Sequence, residues 1–250
     1  MFDSHAHYCF PEFDKDREQV ISETKKHIRG VLVSSARYDE GVCVLGLVKK
    51  HPGFLWASIG CHPMEETRVQ EVIRLIRTHD DQITAIGEVG LDYHWEQDSQ
   101  KRALQKERFL PFIALARELR KPLVIHSWAA EEDCFDLVKN AGISAVFHCF
   151  TGKKSLAMDI AASGLFVSIS TAVFFSKNVK QTAKSIPIDR LLLETDSPFL
   201  DPDRVRKRNV PEHILLSAKK IAEIRGVTTE KILSAAWENA QEVFSLPKRS

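Results

Sequence analysis

The first eight residues, MFDSHAHY, carry Asp3, His5 and His7. In an extended strand, side chains two residues apart share a face, so His5 and His7 would present two imidazoles side by side, as a metal site needs. Further ionisable residues follow apolar runs: His62 in ASIGCH, Glu88 in IGEVGLDY, His126 in VIHSW, His148 in VFHCF and Asp196 in LLLETDSP. Such groups are costly at those points unless paired or bound to metal. Singly, each has an ordinary role: a hydrogen-bonded structural histidine, a glutamate bridged to a neighbouring strand, an aspartate capping a turn. Jointly, His5, His7, Glu88, His126, His148 and Asp196 make a set of histidines and carboxylates without cysteine. That set suits catalytic Zn²⁺ or Mn²⁺ and also accepts Mg²⁺ or Ni²⁺. Six ligands exceed one tetrahedral centre. Two ions about 3.5–4 Å apart, bridged by Glu88, would use them all.

Eight short apolar, β-branched runs must position these groups: MFDSHAH, GVLVSSA, FLWASIGCH, ITAIGEVGLD, PLVIHSW, SAVFHCF, LFVSIST and RLLLETDSP. Their continuous apolar character suits parallel strands covered by helices. Helical patterns lie between them. Residues 14–29 place Val20, Thr24 and Ile28 on one stripe, and residues 105–120 space Phe109, Ile113, Ala116 and Leu119 at helical intervals. Residues 211–226 begin with Pro211 and end near Gly226, the punctuation of a helix. Eight strand–helix alternations without a linker predict a single (β/α)8 barrel domain over residues 1–250, a TIM barrel with a C-terminal helical tail. An open doubly wound sheet is the alternative, but no glycine-rich phosphate loop follows an early strand. Barrel active sites form at the C-terminal strand ends, so the candidate ligands converge on one mouth.

The 35 basic and 34 acidic residues give a net charge of +1, so any attraction for a polyanion must be local. Five scattered cysteines, none in a C-x-x-C pair, read as reduced thiols of a cytoplasmic protein. No apolar run reaches membrane-span length and no secretory leader is visible. No obligate protein partner is predicted.

In their order, DSHAHY, IGEVGLDY, IHS, FHCFTG and LLLETDSP resemble the TatD family of metal-dependent deoxyribonucleases. The similarity spans nearly the whole chain, including RGVTTEKI and ENAQEVF in the tail. It implies a TIM barrel of the metal-dependent hydrolase type. It further implies that His5, His7 and Asp196 hold one ion with Glu88, while His126 and His148 hold the second with Glu88. Two substrate-side segments depart from the family pattern. HSWAA, with Trp128, stands where H-S-R-D-A is common, and VRKRNVP, with Val210, stands where R-G-K-R-N-E-P is common.

The expected activity is divalent-metal-dependent hydrolysis of DNA phosphodiesters, as a 3′–5′ exonuclease on single strands or strand ends. Glu88 and Asp196 are the catalytic carboxylates. Two cations would supply hydroxide near neutral pH, and Asp196 would hold or accept the proton of the attacking water. His62, in a G-x-H-P motif like the family's, is a candidate phosphate or leaving-group contact. Asp92 reads as a supporting or loop-capping residue. In the basic run RVRKR (204–208), Arg206 and Arg208 are candidates for phosphate contact, with a solvated loop as the alternative. Trp128, Tyr93 and Trp95 are candidates for stacking on bases or for covering the core. Two other functions compete: a metal-dependent ester or amide hydrolase such as a D-aminoacyl-tRNA deacylase, and a non-catalytic metal-binding barrel.

Overall fold

Each apolar run forms a parallel strand in the computed structural model, which describes residues 1–203 and 208–247. The strands are β1 (Phe2–Ala6), β2 (Gly30–Ser34), β3 (Leu55–Ile59), β4 (Ile83–Asp92), β5 (Leu123–Trp128), β6 (Ala145–Phe147), β7 (Phe166–Ile169) and β8 (Leu191–Leu193). They pair in chain order from β1 to β8. A parallel bridge between Ala6 and Ser197 brings the last strand back to the first, with hydrogen bonds from Asp196 N to His5 O at 3.0 Å and from His7 N to Ser197 O at 2.7 Å. The architecture is the expected TIM barrel.

Helices α1 (Arg17–His27), α2 (Tyr38–Lys50), α3 (Val69–Thr78), α4 (Ser99–Leu119), α5 (Glu131–Val138), α6 (Lys154–Ala162), α7 (Lys177–Ser185) and α8 (Ile214–Arg225) surround the strands, and α9 (Thr229–Phe244) is the tail. The predicted stripe of Val20, Thr24 and Ile28 is buried. Helix α4 begins earlier than the pattern suggests because the Asp98 carboxylate accepts the backbone N–H groups of Gln100 and Lys101, satisfying donors that every helix start leaves free.

Side-chain alternation along the strands builds two apolar layers. Val31, Val33, Leu55, Ala57, Ile125 and Val167 join the helices in the larger cluster. Phe2, Leu32, Ala85, Val124, Val146, Phe166 and Leu192 form a smaller one with Val243, Phe244 and Leu246. One residue from each of seven strands packs there against the tail, so the tail closes the bottom of the barrel. Two residues further along the chain stand Ser34, His126 and Ser168 on their strands, with His148 and Glu194 just past the ends of β6 and β8. Period two thus stacks a polar layer on the apolar plug.

One expectation is corrected. Cys9, in the loop after β1, and Cys43, on α2, form a disulfide with Cα atoms 6.1 Å apart, so these two are not reduced thiols. Scattered spacing hid the pair, because the barrel brings a strand-end loop beside a helix 34 residues away. Cys61, Cys134 and Cys149 are free. No helix among the described residues is long and apolar enough to cross a membrane.

Candidate metal centre

His5 and His7 do come together: their Nε2 atoms lie 3.0 Å apart. A register shift in β1 between Asp3 and Ala6 accompanies this turn into the barrel. Asp3 is no ligand here. Its carboxylate accepts His5 N at 3.2 Å, Thr195 N at 3.0 Å and Thr195 Oγ1 at 2.6 Å. Asp3 therefore fixes the start of β1 to the segment that carries Asp196. Asp196 has φ of 58°, a left-handed conformation that aspartate tolerates better than most residues.

Glu88 lies inside β4 rather than at its end. Strict alternation from Ala85 would send Gly87 inward. The register of β4 against β5 shifts between Ile86 and Val89, and Glu88 enters the barrel, 5% exposed. Two glycines permit the packing. A Cβ on Gly60 would fall 2.4 Å from Glu88 O, and one on Gly90 (φ +143°) 2.0 Å from His126 O.

Glu88 is the hub. Its Oε2 lies 3.1 Å from His5 Nε2, 3.6 Å from His7 Nε2 and 3.5 Å from His148 Nε2. Its Oε1 lies 3.6 Å from His62 Nε2. Asp196 Oδ1 sits 3.5 Å from His7 Nε2 and 3.8 Å from His5 Nε2. Burial opposes the charge on Glu88, but the hydrogen bond with His5 and the positive character of His7, His62 and His148 hold its carboxyl well below the usual range. Burial likewise opposes charge on Asp196, and His7, His5 and His148 hold its carboxyl down. Both carboxylates are thus kept ionised.

The expected second trio is split. His148 is beside Glu88, but His126 directs Nε2 to Asp92 Oδ2 at 2.9 Å, and its ring centroid lies 5.6 Å from that of His148. Asp92 also accepts Trp95 N at 2.8 Å, so it both supports His126 and caps the following loop. Among the described residues, three groups have ligand atoms close enough to share an ion: His5, His7 and Asp196; His5, Glu88 and His148; and His62, Asp92 and His126.

The donor set fits divalent cations. Three ring nitrogens crowd one carboxylate oxygen, yet His7 Nδ1 and both nitrogens of His148 make no hydrogen bond among the described residues. Buried polar atoms left this way are costly, and a cation that accepts lone pairs resolves the crowding. The outer contacts suit the same role. His5 Nδ1 meets Ser34 Oγ at 3.2 Å, and His148 Nδ1 faces Glu194 Oε1 at 3.7 Å, longer than a hydrogen bond but within charge attraction. Protons on these Nδ1 atoms free each Nε2 lone pair for metal.

His62 differs. The Met64 N–H donates to its Nδ1 at 3.2 Å, which leaves the ring proton on Nε2, the atom that faces Glu88. Burial and the neighbouring His126 lower its pKa to about 4. A neutral N–H donor therefore points into the site, which suits a substrate contact better than a ligand.

The basic run is less open than expected. Arg208 donates to both carboxylate oxygens of Asp16 at 2.7 Å and to Glu12 O at 2.6 Å. A substrate phosphate would have to displace Asp16. Arg206 lies outside the described residues. Glu194 and Ser34 were missed by the sequence reading. Their available signal was the alternation that places them level with the ligands.

The sequence matches the TatD related DNase family over residues 2–245. It is 36% identical to the uncharacterized metal-dependent hydrolase YabD of Bacillus subtilis, covering 98% of this chain and 99% of that one. It is 29% identical to human deoxyribonuclease TATDN3, covering 98% and 94%. The crystal structure of YJJV, a TatD homolog from Escherichia coli, superposes with a TM-score of 0.89 at 22% identity, covering 99% and 98%. The chain belongs to the TatD family. It is a metal-dependent hydrolase acting on ester bonds.

Proposed function

We propose that this protein hydrolyses phosphodiester bonds of single-stranded DNA or strand ends, removing nucleotides from the 3′ end. The carrying observation is the cluster of His5, His7, Glu88, His148 and Asp196 at the barrel mouth, in which each histidine has a ring nitrogen within 4 Å of the Glu88 carboxylate, and His5 and His7 also lie within 4 Å of Asp196. The name of human deoxyribonuclease TATDN3 supports DNA as the substrate. His5, His7 and Asp196 would hold one divalent ion with Glu88, and His148 a second with Glu88, which His126 would join by turning its Nε2 from Asp92. Bound ions of this kind supply a lowered water pKa and charge neutralisation at phosphate oxygens. Asp196, kept ionised, accepts the proton of the attacking water. Glu88 fixes the spacing between the two halves of the site. His62 donates Nε2–H to a phosphate or leaving-group oxygen, a contact aimed where charge develops.

The test uses protein stripped with chelator and restored with Mg²⁺, Mn²⁺ or Zn²⁺, acting on 5′-labelled and 3′-labelled single-stranded DNA. A descending ladder from the 5′-labelled strand, with early release of label from the 3′-labelled one, is expected. Internal cuts would overturn the exonuclease reading. No cleavage with any of the metals would overturn the phosphodiesterase reading.

A further inference from the structure

Three aromatic rings remain exposed beside the His126 half of the site. Trp95 is 65% exposed and Trp128 40%, and His94 between them is also exposed. A contiguous group of exposed apolar rings, unlike a single one, marks an interaction surface. These rings are ordered against one another. His94 stacks on Trp128 with centroids 3.8 Å apart and planes 4° from parallel. Trp95 stands nearly perpendicular to Trp128, at 6.0 Å and 87°.

The group is tied to the chemistry by two short routes. Trp128 lies two residues beyond His126 on β5, about 6.6 Å along the strand. Asp92, which holds His126, also accepts the N–H of Trp95. The loop between β4 and α4 is held in place. Arg102 donates to Glu96 O at 2.8 Å and Tyr93 O at 3.0 Å, and Gln97 donates to Tyr93 O and His94 O at 2.8 Å. Tyr93 N donates to Trp128 O at 2.9 Å, joining this loop to the end of β5. The rings are thus positioned in advance of any ligand.

We propose that His94, Trp95 and Trp128 form a ledge that stacks one unpaired nucleobase of the strand being cleaved, which rests on the phosphodiesterase reading above. His94 already covers one face of Trp128, so the ledge has room for no more than a single base on that ring. Every base has a π-face, so the ledge tolerates sequence. A base inside a duplex is already stacked on its neighbours, so the ledge favours unpaired ends. It also gives a nearly neutral protein a handle on DNA that does not depend on a basic groove.

The experiment compares cleavage of oligothymidylate with that of an abasic tetrahydrofuran-phosphate oligomer of equal length, using wild type, Trp128→Ala and Trp128→Phe. One stacked base corresponds to about 5- to 150-fold. Wild type should prefer oligothymidylate by a factor in that range. Trp128→Ala should lose the preference and Trp128→Phe should keep most of it. In parallel, chelator-treated protein is titrated with oligothymidylate, reading tryptophan fluorescence. Quenching should be strong in wild type and greatly reduced in Trp128→Phe, while Trp128→Ala binds about tenfold or more weakly. If wild type cleaves both oligomers equally, or Trp128→Ala keeps the preference, the ledge is overturned and the phosphodiesterase reading stands. If wild type cleaves neither, that reading fails and the metal-free titration decides: binding that depends on Trp128 supports the ledge, and its absence overturns it.

Discussion

Replacing Glu194 by glutamine keeps the side chain's shape and removes its charge. Glu194 is fully buried. One oxygen accepts from Ser168 Oγ, and the other faces His148 Nδ1 at 3.7 Å. Its charge faces His148 Nδ1, so it would favour the proton there and leave the Nε2 lone pair for a bound cation. Loss of such a partner weakens metal binding about 10–100-fold, or about 1.4–2.7 kcal/mol. With metal at about 100 times the wild-type Kd, binding adds about 2.7 kcal/mol of stability. A tenfold loss leaves about 1.4 kcal/mol, and a 100-fold loss about 0.4 kcal/mol. The metal-induced rise in Tm should therefore shrink by about 3–9 °C for a domain of this size. Each variant is compared with its own metal-free form, so effects on the apo fold cancel. Isothermal titration with Zn²⁺ or Mn²⁺ gives Kd directly. An unchanged Kd together with an unchanged metal-induced shift would refute the role of Glu194 in orienting His148.

His62→Ala should lower kcat/KM about 10- to 150-fold, the worth of one hydrogen bond to a charged group, while leaving metal affinity within about twofold in a titration. In the metal-free protein, His62 stays neutral in the fold down to about pH 4, whereas the unfolded imidazole takes up its proton below about 6.5. The unfolded state then binds more protons, so stability falls as pH drops through this window, by up to about 3 kcal/mol, and His62→Gln should flatten that part of the urea-denaturation profile. Gly90→Ala places a Cβ 2.0 Å from His126 O at φ +143°, and should cost about 3 kcal/mol or more in thermal melts. Thiol titration of the denatured, unreduced protein should find three free cysteines out of five. Opening the Cys9–Cys43 link, which spans 34 residues, with Cys9→Ser should cost about 4 kcal/mol in the chain-entropy account.

The barrel was legible because eight apolar runs and their helices recur with the right periods, and because one rule about strand ends gathers most candidate ligands at one mouth. His5, His7, His148 and Asp196 are gathered as that rule expects, whereas Glu88 enters from within β4. The departures come from features that alternation alone does not carry. The register shift inside β4 decides that Glu88, rather than Gly87, faces inward. The partner of His126 is Asp92 on the adjacent strand, a choice set by side-chain direction within the barrel. Glu194 sits beside Asp196 in LLLETDSP, where the reading of one carboxylate as ligand hid the other as support. Arg208 reads as a free basic residue until the fold brings it against Asp16, 192 positions earlier.

The central claim is that the Glu88-centred cluster cleaves DNA with divalent metal. Its most direct test is single-stranded DNA cleavage by metal-restored wild type beside Glu88→Gln, with circular dichroism to show that both are folded. The account predicts cleavage that needs added metal and a loss of about 1,000-fold or more in Glu88→Gln, of the order seen when a principal electrostatic group is removed. A folded Glu88→Gln protein that cleaves DNA at the wild-type rate would contradict it, as would a metal-loaded wild type that leaves DNA intact while hydrolysing aminoacyl-tRNA esters.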